Sequence, residues 1–111
     1  MAARRASVKL TANFVANLDQ LEAFLLEADA APAYDALLAE LETTVIPNLE
    51  SFPRMGRPFL NRGAGSVEAH QKIGRLAPRI GDGELREYLS GDYLLLYAFI
   101  ERTVYLLSIT L

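Results

Sequence analysis

Two arginines that flank a glycine are the first residues in this sequence whose types and spacing suggest chemistry. Arg54 and Arg57 stand on either side of Gly56, between Pro53 and Pro58. In a turn of this kind, planar guanidinium groups can be presented to an acidic partner. Alternatively, they can bind the free carbonyl groups at the end of the preceding helix. The sequence leaves both roles open and makes Arg54 and Arg57 candidate partner-binding residues.

A third arginine, Arg86, lies in a stretch that we predict to be a strand, residues 85–89. Because side chains alternate along a strand, Arg86 and Tyr88 share one face. One interpretation places them on an exposed sheet surface, where they contact a partner. The other treats Arg86 as a surface arginine paired with a carboxylate, Glu84 or Glu101.

The remaining reactive groups do not form a recognisable catalytic set. His70 is the single histidine, and with no cysteine present we expect neither a metal site nor a disulfide framework. Tyr88, Tyr93, Tyr97 and Tyr105 are expected mostly to pack in the core or across strands. The sequence contains no phosphate-binding glycine loop, nucleophile elbow or zinc-finger signature. We therefore predict no cofactor and assign no catalytic residue.

The candidate residues must be positioned by the apolar C-terminal region, residues 84–109. It contains three apolar runs separated by short polar breaks at residues 90–92 and 101–102. The middle run, YLLLYAFI, is apolar throughout, which predicts a strand covered on both faces. Gly91 can supply the positive φ that a tight reversal needs. We predict an antiparallel three-stranded meander with this run at its centre.

The N-terminal half predicts an edge strand over residues 7–11, followed by two helices. Thr11 or Asn13 can cap the first helix. Apolar side chains then recur at helical spacing in two stretches, which would pair as a hairpin and cover the sheet. The first stripe comprises Phe14, Leu18, Leu21 and Leu25, and the second comprises Tyr34, Leu38, Leu41 and Val45, widened by Leu37 and Ile46.

Proline and glycine recur in the region after the second stripe. Pro47 is expected to kink the helix, since Leu49 and Phe52 continue the apolar spacing beyond it. A loop then follows, and residues 66–80 predict a short third helix. Helices segregated from a run of strands indicate the α+β class. A chain of 111 residues that is 51% apolar suits a single domain over residues 1–111.

Charge is unevenly distributed, although the net charge is only −3. Residues 10–53 hold eight acidic residues and no lysine or arginine, whereas residues 54–86 hold seven basic and three acidic residues. This asymmetry indicates either a partner of opposite sign or simply solvated acidic helix faces. No segment resembles a membrane span or a signal peptide, so we expect a cytoplasmic protein.

Two phrases in the sequence resemble signatures of the ParE/RelE toxin superfamily. They are residues 47–58, PNLESFPRMGRP, and residues 85–97, LREYLSGDYLLLY, followed by a strand like residues 103–109. The resemblance covers roughly residues 8–109. Members are small toxins of type II toxin–antitoxin modules, often called plasmid stabilisation proteins. The resemblance implies a helical hairpin packed on a twisted antiparallel sheet, and a cognate antitoxin that wraps and neutralises the toxin.

Two activities occur among the proteins that this sequence resembles. RelE-like members cut messenger RNA on the ribosome with basic residues and a tyrosine, whereas ParE-like members poison DNA gyrase. Where RelE-like nucleases carry lysines and an arginine, this chain has Leu85, Glu87 and Leu94, which cannot supply positive charge to a phosphate transition state. The resemblance therefore favours the ParE-like branch. A RelE-type endonuclease and an inactive homologue that only binds antitoxin are the alternatives.

The resemblance also implies the partners. We expect a cognate antitoxin, DNA gyrase if the toxin is active, no membrane, and no direct DNA binding by the toxin alone. An antitoxin segment would lie across the hairpin and sheet, with its amphipathic residues anchored in the apolar hairpin groove. The candidate partner-binding residues are Arg54, Arg57, Arg86, Tyr88, Leu18, Leu25 and Leu38.

Overall fold

A computed structural model describes residues 5–59 and 83–111. Helices dominate the N-terminal half and strands the C-terminal part, which confirms the α+β prediction. The short helix predicted over residues 66–80, and His70 within it, lie outside the described residues. The elements are β1 (Ser7–Leu10), α1 (Ala12–Glu27), α2 (Ala31–Glu40), a π-helical turn (Leu41–Val45), α3 (Ile46–Ser51), β2 (Arg57–Pro58), β3 (Glu84–Ser90), β4 (Tyr93–Ile100) and β5 (Thr103–Thr110).

The described strands form one mixed sheet in the order β1-β5-β4-β3-β2. Strands β3, β4 and β5 are the predicted antiparallel meander, with β4 at its centre. The sheet has five strands rather than the three of the predicted meander: β1 confirms the predicted edge strand, and β2 was not predicted. β1 adds to β5 as a parallel edge strand, and the two-residue β2 adds to the far side of β3. Both additions depend on partners distant in sequence, which local patterns do not reveal.

Tight reversals connect the meander strands, as the polar breaks predicted. Gly91 adopts a φ of 60° between β3 and β4, in the left-handed region that glycine enters without steric cost. Between β4 and β5 the two turn residues are Glu101 and Arg102, whose φ values are 47° and 67°. Two successive positive φ values are the geometry that lets a two-residue turn match the twist of its strands.

Helix α1 begins at the residue that the sequence suggested as its cap. The Thr11 hydroxyl accepts a hydrogen bond from the Phe14 N–H (3.2 Å) and donates one to the Leu106 carbonyl of β5 (2.8 Å). The predicted apolar stripe of α1 is buried in full. Thr11 therefore satisfies a free donor of the helix and also ties the helix start to the sheet.

Replacing Thr11 with alanine is expected to lower the free energy of unfolding by about 1–2 kcal/mol, because the cap and the bond to β5 are both lost. Thr43→Ala is the matched control. The Thr43 hydroxyl donates to the Ala39 carbonyl of its own helix at an exposed position, so its loss should cost under about 0.5 kcal/mol. Urea unfolding measures both, and equal costs would contradict the role given to Thr11.

The predicted second helix comprises α2, the π-helical turn and α3 in unbroken succession, so it continues through Pro47 instead of ending there. The π-helical turn lies just before the proline, with the Ile46 N–H donating to the Leu41 carbonyl. Such a turn adds a residue to the helix and accommodates the donor that proline lacks. Its buried face is Leu37, Leu41, Val45 and Leu49, whereas Tyr34 and Leu38 of the predicted face are only half-buried.

Both faces of β4 are buried, as its unbroken apolar sequence predicted. Leu95, Tyr97 and Phe99 point toward the helical hairpin and pack with α1, the second helix and β5. Leu96 and Ala98 point to the opposite face, where Leu85 and Leu107 join them. The main core of the described residues therefore lies between the hairpin and the sheet.

A β-bulge in β5 adjusts which side chains reach that core. Tyr97 pairs with Leu106, but Leu96 pairs with Ser108, so Leu107 is the extra residue. The insertion shifts the alternation by one residue and lets both Leu106 and Ile109 face the hairpin. The Asn13 amide donates to the Leu107 carbonyl (2.8 Å), so α1 satisfies the bulge directly.

None of the helices within residues 5–59 and 83–111 has the length and apolar character needed to cross a bilayer.

Candidate interaction site

The segment after α3 carries Arg54 and Arg57 back onto the sheet. Helix α3 ends at Ser51, and the capping residue Phe52 leaves the helical region with a φ of −134° and a ψ of 71°. The Met55 N–H then donates to the Phe52 carbonyl (3.0 Å), which closes a turn. The chain continues into β2, where Arg57 pairs with Glu87 of β3. We call residues 53–58 the return segment.

Tyr97 of β4 anchors the return segment from below. Its side chain is fully buried, and its hydroxyl donates to the Pro53 carbonyl (2.8 Å) while accepting from the Gly56 N–H (2.9 Å). The phenol therefore satisfies two backbone groups of the turn at once. Because both hydrogen-bonding functions of this hydroxyl are engaged, Tyr97 holds structure and is unsuited to proton transfer.

Gly56 is required by the closeness of the return segment to the sheet. A Cβ atom at this position would lie 2.5 Å from the Glu87 carbonyl oxygen and 2.8 Å from the Tyr97 hydroxyl. No side chain fits at the first of these distances without displacing the β2–β3 backbone. The glycine between the two arginines therefore serves close approach of the chain to β3.

Arg54 and Arg86 share one carboxylate. The Arg54 Nε donates to Glu84 Oε2 (2.6 Å), and Arg86 Nη1 donates to Glu84 Oε1 (2.7 Å). Arg86 Nε also donates to the Gly56 carbonyl (2.7 Å), which joins β3 to the return segment. The Arg54 guanidinium lies over the Phe99 ring, 5.2 Å from its centroid, and 65% of its side chain is exposed.

Arg57 makes a similar contact with a carboxylate three residues further along β3. Its Nε donates to Glu87 Oε1 (2.8 Å), and the Glu87 side chain is only 4% exposed whereas that of Arg57 is 55% exposed. A buried carboxylate needs such a partner, since an uncompensated charge in the interior is strongly unfavourable. We refer to Arg54, Arg57, Arg86, Glu84 and Glu87 together as the arginine cluster. Glu84 and Arg86 lie on the hairpin face of β3 and Glu87 on the opposite face, so the cluster consists of two separate groups of ion pairs.

The electrostatics of the cluster follow from these contacts. The hydrogen bond from Arg54 lowers the pKa of Glu84 below its ordinary value of 4.5, and the charge of Arg86 acts in the same direction. Burial raises the pKa of the Tyr97 phenol above its ordinary value of 10.0. Glu84 is thus ionised and Tyr97 neutral at physiological pH, which is the state that their hydrogen bonds require.

Acid titration should reveal the contribution of Glu84. Since its folded-state pKa is lowered, its stabilisation is present above the ordinary carboxyl value and is lost as the pH falls through and below about 4. Because Glu84 is about one-third exposed, we expect an effect on the order of 1 kcal/mol or less. Urea unfolding between about pH 3 and 7 measures this effect. The free energy of unfolding should fall less steeply toward low pH in Glu84→Gln than in the unmodified protein.

Glu42→Gln is the matched control for that experiment. Glu42 is exposed on the π-helical turn and makes no ion pair with any residue that the structure describes. In Glu42→Gln the free energy of unfolding should fall toward low pH as steeply as it does in the unmodified protein. A Glu84→Gln variant with an unchanged slope would contradict the role given to the Arg54–Glu84–Arg86 bridge.

Three of the sequence-predicted site residues form ion pairs with carboxylates of β3, and Arg54 and Arg86 share the same one. Arg54, Arg57 and Arg86 form the cluster, and neither Arg54 nor Arg57 caps the preceding helix in the contacts described above. Arg86 does pair with Glu84, one of the two partners suggested, but it does not lie on the surface, because its side chain is only 15% exposed. Its interpretation as an exposed sheet residue is therefore wrong.

The other four predicted residues lie apart from the cluster. Tyr88 is half-buried and packs against the main core. Leu18 and Leu25 are buried beneath the hairpin, at 8% and 7% exposure, and Leu38 is half-buried at the edge of that core. Contact of these residues with a partner stays a prediction, and Leu38 is the only one of the three leucines with substantial exposed surface.

Sequence reasoning suggested Glu84 as a partner of Arg86 but missed the other residues that hold the cluster in place. Gly56 permits the close approach, Glu87 supplies the second carboxylate and Tyr97 is the buried anchor. Arg57 and Glu87 are direct partners in the antiparallel pairing of β2 with β3. No local sequence pattern indicates that pairing, because β2 is only two residues long.

The positions that resemble RelE nuclease residues lie on the opposite face of the sheet. Leu85 is buried and pairs with Ala98, while Leu94 is half-buried and pairs with Leu89. Glu87 points to the same side and is engaged by Arg57. Within the described part of the chain, no group of three or more histidines and carboxylates is arranged to hold a metal ion.

Fold and site together define an α+β protein in which a helical hairpin covers one face of a five-stranded mixed sheet and a charged return segment closes one edge. No protein-family model matches the chain, and no curated protein matches it significantly.

Proposed function

We propose that this protein is the toxin component of a type II toxin–antitoxin module, of the ParE-like branch, and that it acts by protein–protein contact. One observation carries the proposal. The two phrases that resemble the ParE/RelE superfamily, residues 47–58 and 85–97, form a single unit in space. Tyr97 binds the Pro53 carbonyl and the Gly56 N–H, and Arg54 binds Glu84.

The joining of these phrases supports the proposal because it explains their composition. The second phrase supplies the phenol, and the first supplies a glycine that approaches β3 closely and arginines that pair with β3 carboxylates. A RelE/ParE-like arrangement, with a hairpin on one face of a meander, is the finer fold assignment that we propose on this basis. β1 and β2 then extend that meander at its two edges.

The ParE-like branch is preferred to a ribosome-dependent nuclease on chemical grounds. A phosphate transition state needs unengaged positive charge held close to the reacting oxygens. Here Arg86 is largely buried and its guanidinium binds Glu84 and the Gly56 carbonyl. Leu85 and Leu94 offer no charge, and Tyr97 is fully buried. The described contacts therefore favour binding over RNA cleavage.

The deciding experiment is induced expression in a bacterial host, with and without the adjacent open reading frame. Growth, nucleoid morphology and bulk protein synthesis are followed together. We expect filamentation and DNA damage while translation continues, with rescue by the neighbouring gene product. An early translation block would instead indicate a RelE-type nuclease. The absence of any growth effect, together with strong antitoxin binding, would indicate an inactive homologue.

A folding-defective variant controls for the burden of expression itself. Leu95 is fully buried at the centre of β4, so Leu95→Asp places a charge in the core and should prevent folding. A growth defect that persists with Leu95→Asp at equal protein level does not come from the folded protein. If the purified protein binds neither gyrase nor the neighbouring gene product, the proposal is abandoned.

A further inference from the structure

Strand β5 is longer than the strand that borders it on the side away from β4. β1 pairs with β5 only as far as the Leu10–Leu106 pair, and the chain then turns into α1. β5 continues to pair with β4 as far as Thr110. Among the described residues, no strand lies beside residues 107–110 on the β1 side. We call this stretch the open edge of β5.

Two amide side chains of α1 bind the backbone of the open edge. The Asn13 amide donates to the Leu107 carbonyl (2.8 Å), and the Asn17 side-chain oxygen accepts from the Ile109 N–H (3.1 Å). The two asparagines are four residues apart, so they lie on the same side of the helix. They therefore bind alternate residues of β5, as a neighbouring strand would do.

The composition of β5 makes an unprotected edge hazardous. Residues 103–111, TVYLLSITL, contain no charged residue, proline or glycine and are rich in β-branched and apolar side chains. Segments of this kind pair readily with identical segments when their edge is accessible. Leu10 and Leu111, which lie at the two ends of the open edge, are 45% and 60% exposed, so apolar surface also borders it.

The outer edge of β1 has a different protection. β1 is only four residues long and carries the exposed Lys9, and both a short length and a lysine discourage the addition of a further strand. The open edge of β5 has no charged residue of its own. Asparagine is also a poor helix former, so its presence at both positions of α1 that reach β5 calls for a reason beyond helix formation.

We propose that Asn13 and Asn17 block strand addition at the open edge of β5 and so prevent this chain from associating with a second copy of itself. Without the two amides, the Leu107 carbonyl and the Ile109 N–H lose their partners. Buried backbone groups without partners are unfavourable, and an antiparallel β5 from a second copy would satisfy them. This proposal is independent of the proposed function, because it concerns only α1 and β5.

The test is the oligomeric state of the intact protein, measured by size-exclusion chromatography with light scattering as the protein concentration is raised. The mass of Asn13→Ala, Asn17→Ala should rise with concentration to about twice that of the unmodified protein or more. Asn17→Ala alone should associate in the same direction. Asn17→Asp keeps an acceptor for the Ile109 N–H and should therefore behave as the unmodified protein does.

Two control variants separate loss of the amides from other effects. Leu21→Ala leaves a cavity in the core beneath the same helix, so it lowers stability without uncovering the edge. Gln20→Ala removes an exposed amide from the same helix. Both variants should keep the mass of the unmodified protein over the whole range of concentration.

A single introduced thiol can show where two copies meet, because the chain has no cysteine. Thr110→Cys, at the exposed end of β5, should give a disulfide-linked dimer on oxidation when it is combined with Asn13→Ala, Asn17→Ala. Thr43→Cys, at an exposed position of the helical hairpin, should give none in the same background.

A double variant that keeps the mass of the unmodified protein at every concentration would overturn the proposal. Equal association of Leu21→Ala would also overturn it, because association would then follow from lost stability. Cross-linking through Thr43→Cys but not Thr110→Cys would place the contact elsewhere and have the same consequence. If circular dichroism shows that the double variant does not fold, the comparison of Asn17→Ala with Asn17→Asp gives the decision.

Discussion

Replacing Gly56 with alanine is expected to lower the free energy of unfolding by about 3 kcal/mol, at the upper end of what one overpacked site usually costs. The added Cβ would lie 2.5 Å from the Glu87 carbonyl oxygen and 2.9 Å from Tyr97 Cε1. The first contact is with backbone in the β2–β3 pairing, so it cannot be relieved by a side-chain rotation. The return segment would have to move away from the sheet.

Gly91→Ala is the natural comparison, because it tests a glycine for the opposite reason. Gly91 has a φ of 60°, and nothing lies within 4 Å of an added Cβ. Its replacement should cost about 1 kcal/mol from backbone strain alone. Urea unfolding of both variants gives the difference, and a Gly56→Ala cost no greater than that of Gly91→Ala would show that the close approach is not maintained in solution.

Removing the Tyr97 hydroxyl should be the second most damaging of these changes. Tyr97→Phe keeps the buried ring but leaves the Gly56 N–H and the Pro53 carbonyl without their partner. A buried polar group without a partner costs about 1–3 kcal/mol, so we expect a total loss of about 2–3 kcal/mol. Chemical unfolding of the variant measures it directly.

Tyr93→Phe controls for the loss of a phenol as such. Tyr93 is half-buried on the same face of β4, and its hydroxyl makes no hydrogen bond with any residue that the structure describes. Its replacement should cost under about 0.5 kcal/mol. Because Gly56 and Tyr97 are in contact, the double variant Gly56→Ala, Tyr97→Phe should cost less than the sum of the single changes. Strict additivity would argue against their contact.

The unmodified protein and Tyr97→Phe should also differ in how their free energy of unfolding depends on pH in the alkaline range. The folded-state pKa of Tyr97 is raised by burial, so its contribution to stability is present below about pH 10 and is lost as the pH rises above it. Tyr97→Phe lacks this contribution and should lose less stability over that range. An identical alkaline slope in both proteins would indicate that the phenol is exposed.

Much of the fold could be predicted because short-range sequence patterns determine its helices and its longer strands. The α1 stripe begins after a good capping residue and is buried as its spacing indicated. The unbroken apolar run of β4 predicted burial on both faces. What failed was long-range: the pairing of β1 with β5 leaves no local trace in a strand of four residues, and β2 is only two residues long.

The second helix shows a subtler limit. A regular α-helix of 3.6 residues per turn puts Tyr34 and Leu38 on the same face as Leu41. The buried residues Leu37, Leu41, Val45 and Leu49 instead recur every four residues. The π-helical turn before Pro47 supplies the extra residue that keeps this wider spacing on one side. Proline signalled an irregularity, but its kind depends on the packing of the whole helix.

Only part of the arginine cluster could be predicted, because its geometry also depends on contacts between segments distant in sequence. Residue types singled out Arg54, Arg57 and Arg86, since guanidinium groups near a glycine or on a strand suggest recognition. Glu84 was suggested as a partner of Arg86 because the two lie close in sequence, but the partners of Arg54 and Arg57 depend on the return of the chain to β3 and could not be predicted from composition. Tyr97 was expected to serve as packing, and it does, but its two hydrogen bonds to the return segment arise only in three dimensions.

The parallel pairing of β1 with β5 affects how the chain folds during its synthesis. Thr11 and Leu106 are joined by a hydrogen bond although 95 residues separate them in sequence. The hairpin can form early during synthesis, but its apolar face has no sheet to cover until β4 and β5 have left the ribosome. Contacts of such long range slow folding. The nascent chain therefore passes through an interval in which its helices are present and their apolar face is unprotected, so the ParE-like protein that we propose would acquire its final form only after translation of the last strand.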